Sequence, residues 1–460
     1  MDTDPKLQIR RLEKALGAGA HTDARVILQS MYPADVADAF VRMKPIQRSV
    51  LVSLYDDEEL ADFIEYLPVT DAVDVLEGLT EPEQAAVFHE LPDDHMVDLL
   101  QEMEPDQQKE SIELLSEGKK ETAEDLLRFP DDSAGGRMTT AFASVRADMT
   151  VREAIHELEQ IKEETELLSR IYVVDENNRI LGKVRLRDLT FSKRSVLISE
   201  IMDNETLAVK ALADQEEAVQ MMARYDLMAV PVVNDDLQLL GLITHDDAFD
   251  IQEEETTEDI EKQSGIVGAP VEESYLQTSV GVHIKRRLGW ALVLAVLAIS
   301  SGFVLENFGD DLKRARILMI YLPMVVAAGG NTGGQAATMV IRAMALGELT
   351  PGSLIRVVWK EFRIGALIGA VIGLSIGVQI FFSMGGIDEN SSFSIGRAAV
   401  AVAISLAAQI GASTMIGSAL PMLAKAARLD PAVVATPAIT TIVDVTGLLI
   451  YFGCARLILF

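Results

Sequence analysis

Cysteine is nearly absent: Cys454 is the one in 460 residues and lies in the last apolar run. No intrachain disulfide can form, and a reducing compartment is expected for the soluble part. Histidine is scarce too, six in all with none after His283, so the apolar C-terminal part lacks the ligands that soft and borderline metals prefer. The opening Met1-Asp2-Thr3-Asp4-Pro5-Lys6 has no basic run followed by an apolar stretch and predicts no secretory signal. No nucleophile with a neighbouring base and no nucleotide-cleaving loop stands out, which argues against an enzyme. Acid far outnumbers base in one part of the chain and not in the other. Residues 1–280 hold 26 Lys+Arg against 62 Asp+Glu, net −36, whereas residues 281–460 hold 14 against 9, net +5. Acid at that density repels itself unless counterions or bound metal neutralise it, although a solvated acidic surface fits the same count.

What is present falls into blocks. Pro33, Pro45, Pro68, Pro92 and Pro105 recur with spacings of 12, 23, 24 and 13, each followed by acidic or polar residues and an apolar cluster. One short helix per unit is expected, opened by Pro or Asp and stacked into a superhelix. Residues 131–250 then carry two copies of a β/α unit. Tyr172-Val173-Val174-Asp175, Ile180-Leu181-Gly182 and Asp188 are echoed by Pro231-Val232-Val233-Asn234, Leu239-Leu240-Gly241 and Asp247. One constant offset carries Val174 onto Val233, Gly182 onto Gly241 and Asp188 onto Asp247. This resembles a tandem pair of cystathionine-β-synthase-type (CBS) domains. Such pairs often hold adenine nucleotides, which the resemblance would assign to Arg187, Asp188, Thr244 and Asp247. Arg185 stands where the first copy should offer a hydroxyl, so a purely structural pair fits as well.

An acidic, helix-prone connector, Asp250 to Glu261, ends near Gly265 and Pro270, and a spacer is its plain reading. Beyond it, five runs are long enough to cross a bilayer, which takes ~20 apolar residues: Leu288 to Phe308, Ile317 to Met344, Ile364 to Ser383, Ala398 to Leu423 and Pro431 to Phe460. Basic residues before the first, third and fifth runs place those ends in the cytoplasm and the C-terminus on the outer side of a cell (inner) membrane. Gly365, Gly369, Gly373 and Gly377 leave one face of the third span bare for a neighbouring helix. In the second span, Pro323 to Gln335 includes four glycines with Asn331, Thr332 and Gln335. That stretch should loosen the helix and serve pore lining or helix packing.

Asp444 lies near the middle of the fifth span, where a carboxylate costs ~2.5 to 3.5 kcal/mol. No Lys, Arg or His shares the middle of any span, so a cation site is favoured over a protonated carboxyl between helices. Carboxylate, amide and hydroxyl ligands suit Mg²⁺ or Ca²⁺, and Mg²⁺ is usually held through one or two carboxylates with its waters retained. A CBS-gated anion channel would need basic residues in the spans, which Asp444 opposes.

Taken together, the N-terminal repeats, the CBS pair, the acidic connector, Pro323 to Gln335, and Leu429-Asp430-Pro431 through Asp444-Val445-Thr446-Gly447 make the whole chain resemble the MgtE family of magnesium transporters and channels. The expected fold is multi-domain: an all-α helical-repeat N domain (1–130), α/β tandem CBS domains (131–200 and 201–250), an acidic plug helix (251–280), and an α-helical transmembrane domain of five spans (281–460). The resemblance implies a homodimer in membrane lipid, with Mg²⁺ as substrate and regulator, ATP as a regulatory ligand and no nucleic acid. It places the pore along the second and fifth spans, with Asp444 selecting hydrated Mg²⁺. Thr436 stands where some members carry Asn, which bears on selectivity over Ca²⁺. By position it implies plug carboxylates Glu255, Glu258 and Asp259 facing Asp430, and sensor carboxylates Glu59, Asp93, Asp94, Asp98, Glu216, Asp226, Asp247 and Asp250. Abundant Mg²⁺ between such carboxylates would turn repulsion into cohesion and hold the plug closed.

Overall fold

The computed structural model describes residues 5–161, 165, 169–268, 275, 278–383 and 394–460, without the side chains of residue 351 and residues 432–437. Its contacts divide the chain into two units, residues 1–255 with 271–277, and residues 256–270 with 278–460.

Ten helices open the first unit: α1 (Pro5–Gly17), α2 (His21–Leu28), α3 (Pro33–Phe40), α4 (Pro45–Val52), α5 (Asp57–Glu65), α6 (Val69–Glu77), α7 (Glu81–Glu90), α8 (Asp93–Glu102), α9 (Pro105–Leu114) and α10 (Glu117–Leu126). From α2 onward the starts are evenly spaced, at positions 21, 33, 45, 57, 69, 81, 93, 105 and 117. The prolines mark about half of these starts, because Pro is only one way to open a helix. Others use a reciprocal cap, as where Asp56 accepts from Glu59 N and Glu59 accepts from Asp56 N at α5. A helix of two to three turns is marginal alone, so its stability comes from the apolar stripe it buries. α3, α5, α6, α7 and α8 each pack on the helix two places ahead, around Phe40, Phe63, Phe88, Met96 and Leu100, while α1 lies chiefly on α2.

Two three-stranded sheets follow. The first takes β1 (Ser144–Arg146), β2 (Arg170–Val174) and β3 (Ile180–Arg185), with helices α11 (Val151–Gln160), α12 (Leu186–Phe191) and α13 (Ile198–Ile201). The second takes β4 (Val209–Lys210), β5 (Ala229–Val233) and β6 (Leu239–Thr244), with α14 (Gln215–Tyr225). In each the first pair is parallel and the second antiparallel, and the offset seen in the sequence holds in the register: Ile171 faces Val184 as Val230 faces Ile243. The copies meet turn to turn, Asn178 Nδ2 donating to Leu239 O at 2.9 Å and Gln238 Nε2 to Asn177 O at 2.9 Å.

One helix, α15 (His245–Gln263), begins directly at the end of β6, so no break separates the second CBS copy from the connector at residue 250. Pro270 lies outside the described residues.

Among the described residues the second unit holds five helices long and apolar enough to cross a membrane: α16 (Val280–Asn307), α18 (Arg316–Ala345), α19 (Leu354–Ser383), α20 (Ile395–Ala426) and α21 (Pro431–Leu459), with the short α17 (Gly309–Arg314) after α16. α16 and α19 begin well ahead of their apolar runs, because helical hydrogen bonding continues through Lys285–Arg287 and Arg356–Arg363 once the chain leaves the apolar layer. The every-fourth-glycine face of α19 lies on α20: a Cβ on Gly369 would stand 2.7 Å from Ala407 O, and one on Gly373 2.5 Å from Ala403 O. The expected loosening of α18 does not occur. It stays one helix because Gly329 and Gly333 are the points where α20 and α21 press against its backbone. At the far end of α21, Arg456 Nε reaches Asp311 Oδ2 at 2.6 Å and its guanidinium lies 4.4 Å over the Phe308 ring.

Candidate functional site

α16, α18 and α21 border an open cavity of about 700 Å³, lined on α18 by Pro323, Gly330, Asn331 and Gly334, on α21 by Thr440, Asp444 and Leu448, and on α16 by Ser301 and Leu305. Helical spacing sets this arrangement. Gly330 and Gly334 lie one turn apart on the cavity face while Gly329 and Gly333, one residue back, pack inward; Thr440 and Asp444 are likewise one turn apart on α21. Among the described residues no Lys, Arg or His lines the cavity, and Asp444 is its one carboxylate. Thr332 departs from its expected pore role. It is buried, and its hydroxyl donates back to Ala328 O at 2.8 Å, as a helical Thr inside an apolar layer tends to do. Gln335 is exposed and does not line the cavity. The Thr436 side chain lies outside those described.

In the first unit the acidic residues fall into separate groups, several of which carry a cation from the chain itself. Asp94, His95 and Asp247 each bring one ligand atom within 4.8 Å of the others, and so do Asp214, Glu216 and Glu255. Burial disfavours charge on His95, yet Asp94, Glu65, Asp98 and Asp247 outweigh it and hold its pKa above the usual value. Arg137 joins Asp98 (3.4 Å), Glu254 (2.6 Å) and Gln215 (3.1 Å). Burial pushes Asp98 up to about 6 against the pull of Arg137, and pushes Glu254 up as well. Asp93 takes Lys119 Nζ at 3.2 Å and the Thr140 hydroxyl. Glu59 stays with its own helix cap and with Arg25 at 2.5 Å, away from these groups. Asp226 ends α14 in the left-handed conformation, φ 51°, and Asp250 is exposed, its pKa raised by partial burial and then by Asp247.

The second unit repeats the pattern where the connector meets the membrane helices. Lys262 Nζ sits 2.6 Å from Glu258 and 3.0 Å from Asp430, so a resident ammonium bridges a connector carboxylate and the acid just before α21. Burial alone would lower the Lys262 pKa; hydrogen bonds to Glu258 and Asp430 outweigh it and raise it. Glu261 pairs with Arg286 at 2.5 Å. Asp259 lies on the same helix and makes contacts of its own.

His95, Lys119, Arg137 and Lys262 were all missed by sequence reasoning. The helical repeat contains a signal for two of them. The third residue of successive helices from α2 to α10 is Asp23, Asp35, Gln47, Glu59, Asp71, Glu83, His95, Gln107 and Lys119. Acid or amide suits a first helical turn, and a cation there opposes the helix dipole. His95 breaks the rule on α8, which carries Asp93, Asp94 and Asp98, and Lys119 breaks it on α10, from which it reaches Asp93.

The nucleotide candidates are satisfied locally. Asp188 is held by Arg185 (2.8 Å) and Arg187 (3.5 Å), which keep its carboxyl below the usual range. Thr244 donates through its hydroxyl to Asp247 at 2.5 Å and through its backbone N–H at 3.1 Å, capping α15.

Comparison with known proteins covers nearly the whole chain. Residues 322–454 match the MgtE family, described as divalent cation transporter; residues 31–132 match the MgtE intracellular N domain, and residues 134–193 and 198–254 match the CBS domain. The magnesium transporter MgtE of Thermus thermophilus is 31% identical over 453 residues, 97% of this chain and 98% of that one. The magnesium transporter MgtE of Bacillus subtilis is 29% identical, with 97% and 96% covered. A crystal structure of the cytosolic domain of the Mg²⁺ channel MgtE in complex with ATP aligns with a TM-score of 0.51 at 30% identity, covering 53% of this chain and 99% of that one.

Proposed function

The chain belongs to the MgtE family of magnesium transporters, and on that premise we propose that two copies form a channel-like, Mg²⁺-selective pore in which Asp444 of each selects the ion. It is an integral membrane protein that carries divalent cations, not an enzyme. The observation that carries the proposal is the cavity beside α18 and α21, with one carboxylate, an amide at Asn331 and bare glycine backbone. A carboxylate at that depth needs a counter-charge, and none of the described lining residues supplies one, so a mobile cation does. An ion that keeps its waters needs room and outer-sphere acceptors rather than a tight cage, and carboxylate, amide and backbone carbonyl oxygens provide them.

Gating rests on the acidic groups. Mg²⁺ held at Asp94 and Asp247, at Glu216 and Glu255, and at Glu258 and Asp430 favours the closed state, and its loss restores repulsion and opens the pore. The cations already present at several of these places lower the repulsion the ion has to overcome. ATP bound at the CBS pair modulates the same equilibrium, with Thr244, Asp247, Arg187 and Asp188 as contacts. The basic residues flanking α16, α19 and α21 orient the chain with its N-terminal domains in the cytoplasm and its C-terminus outside.

Uptake by the purified protein in liposomes, comparing Mg²⁺, Ca²⁺ and Mn²⁺, tests this reading. Asp444→Asn keeps the side-chain shape and removes the charge; it should abolish Mg²⁺ uptake while the protein still purifies as the parent does. Parental uptake by that variant would refute the assignment.

A further inference from the structure

Gln409 is a fully buried amide in the middle of the fourth membrane helix, three helices meet at it, and the ion-site reading makes no use of it. Its Nε2 donates to the Val443 carbonyl at 3.0 Å, one residue before Asp444. Two glycines leave the space it occupies. A Cβ on Gly329 or on Gly447 would stand 2.3 Å from Gln409 Nε2, and the latter also 2.7 Å from Cδ. Ser413, one turn further along α20, donates to the Gln409 carbonyl at 2.7 Å and fixes the backbone from which the amide projects. Among the described residues no donor reaches Gln409 Oε1.

An amide buried with one end unsatisfied is costly in an apolar layer, where a methionine or leucine would fill the same space without that cost. Something offsets it, and the packing around it indicates what. α18 offers Gly329 and Gly333 to its neighbours and α21 offers Gly447, so at this level the helices themselves present bare backbone, onto which the Gln409, Ile439 and Val443 side chains are seated. Smooth faces allow close approach but leave rotation and sliding weakly specified. The second lone pair of the Val443 carbonyl gives α20 a directional hold on α21 at the turn that carries Asp444. Two turns further on, Ser405 Oγ lies 3.4 Å from the Tyr451 carbonyl, a weaker hold in the same line.

We infer that Gln409 is the positioning residue for Asp444: seated in the notch left by Gly329 and Gly447, its amide holds the Val443 carbonyl and sets the rotation of α21 that presents Asp444 to the cavity. The inference rests on the ion-site role of Asp444, and the test separates the two. Gln409→Met keeps volume and flexibility and removes both the hydrogen bond and the unsatisfied oxygen; Gln409→Glu keeps shape but, as a carboxylate, cannot donate. Both variants, with Asp444→Asn alongside, are assayed in liposomes for Mg²⁺ and Ca²⁺ uptake, and in detergent for thermal midpoint. Gln409→Met should unfold at or above the parental temperature, yet its Mg²⁺-to-Ca²⁺ uptake ratio should fall about tenfold, the size of effect one directional contact supports. A merely structural amide would move the midpoint and leave the ratio alone, and that result overturns the proposal. So does failure of both Gln409 variants to fold, which would assign the amide to assembly. If Asp444→Asn transports like the parent, the ion-site reading itself falls; if it is inactive while Gln409→Met keeps the parental ratio, only the role of Gln409 falls.

Discussion

Gly417→Ala makes the packing of the membrane helices testable with a single methyl group. A Cβ on Gly417 of α20 would stand 2.1 Å from the Gly333 carbonyl oxygen of α18, 2.8 Å from its carbon and 3.0 Å from its Cα. Ordinary contact begins at 3.4 Å, so the oxygen has to yield by more than a third of that distance. Every atom met is backbone, and no rotamer change can relieve it. The helices must part or α18 must bend, at the upper end of the about 1–3 kcal/mol typical of an over-packed core. The displaced segment carries Gly330, Asn331 and Gly334, which line the cavity, so Mg²⁺ uptake should fall together with the thermal midpoint. Gly334→Ala is the internal control, because a Cβ there meets nothing within 4 Å. It adds the same methyl to the partner helix and should leave the midpoint unchanged. If Gly417→Ala and Gly334→Ala melt alike and at the parental temperature, α18 and α20 are not in backbone contact and the assignment of the inward glycine face is wrong.

Lys262→Met removes the ammonium between Glu258 and Asp430. Those groups are 28–37% exposed, so screening limits the loss to about 1 kcal/mol, and the Mg²⁺ concentration that half-closes the pore should rise about fivefold in flux assays. An unchanged midpoint would show that the lysine plays no part in closure. A pH dependence follows from the groups around Arg137 and His95. Asp98, at about 6 folded against 3.8 ordinarily, is buried at less cost when protonated, and that advantage is lost as pH rises from about 4 through 6; His95, its pKa also raised, contributes fully below its ordinary 6.5 and loses that contribution as pH rises through its folded value. With chelator present, protease protection of the first unit should therefore weaken from pH 5 to pH 8. Excess Mg²⁺ should flatten or reverse the slope, since protons and Mg²⁺ compete for the same carboxylates. Protection that grows with pH in chelator would contradict the sign.

Much of this was legible from residue order, and the rest was hidden for identifiable reasons. The five spans and the duplicated sheets follow from apolar run length and a repeated strand pattern, which depend on the local chain alone. Asp444 stood out because a lone carboxylate in an apolar run has no inexpensive explanation. Which face of α18 looks into the cavity was not legible, since Gly329 and Gly330 are identical in sequence and opposite in role. Thr332 misled because a hydroxyl can satisfy itself on its own helix. Lys262 vanished into a strongly acidic connector, where a net charge count conceals one well-placed cation. Gln409 is conspicuous only once Gly329 and Gly447 are brought to it from other helices.

The strictly even spacing of helix starts from His21 to Glu117 makes the N-terminal domain a one-dimensional lattice. Each helix leans on near neighbours along the stack, so cohesion accumulates unit by unit and unravelling begins at an end. α1 stands outside the period, starting at Pro5 where an even step back from His21 would fall on Ile9, and packs on α2, α3 and α4. A lattice of this kind can gain or lose a whole unit without losing its phase. What such a change would alter is the address of His95 and Lys119: their depth along the stack, and so which acidic neighbours they meet, is counted in helices rather than in residues.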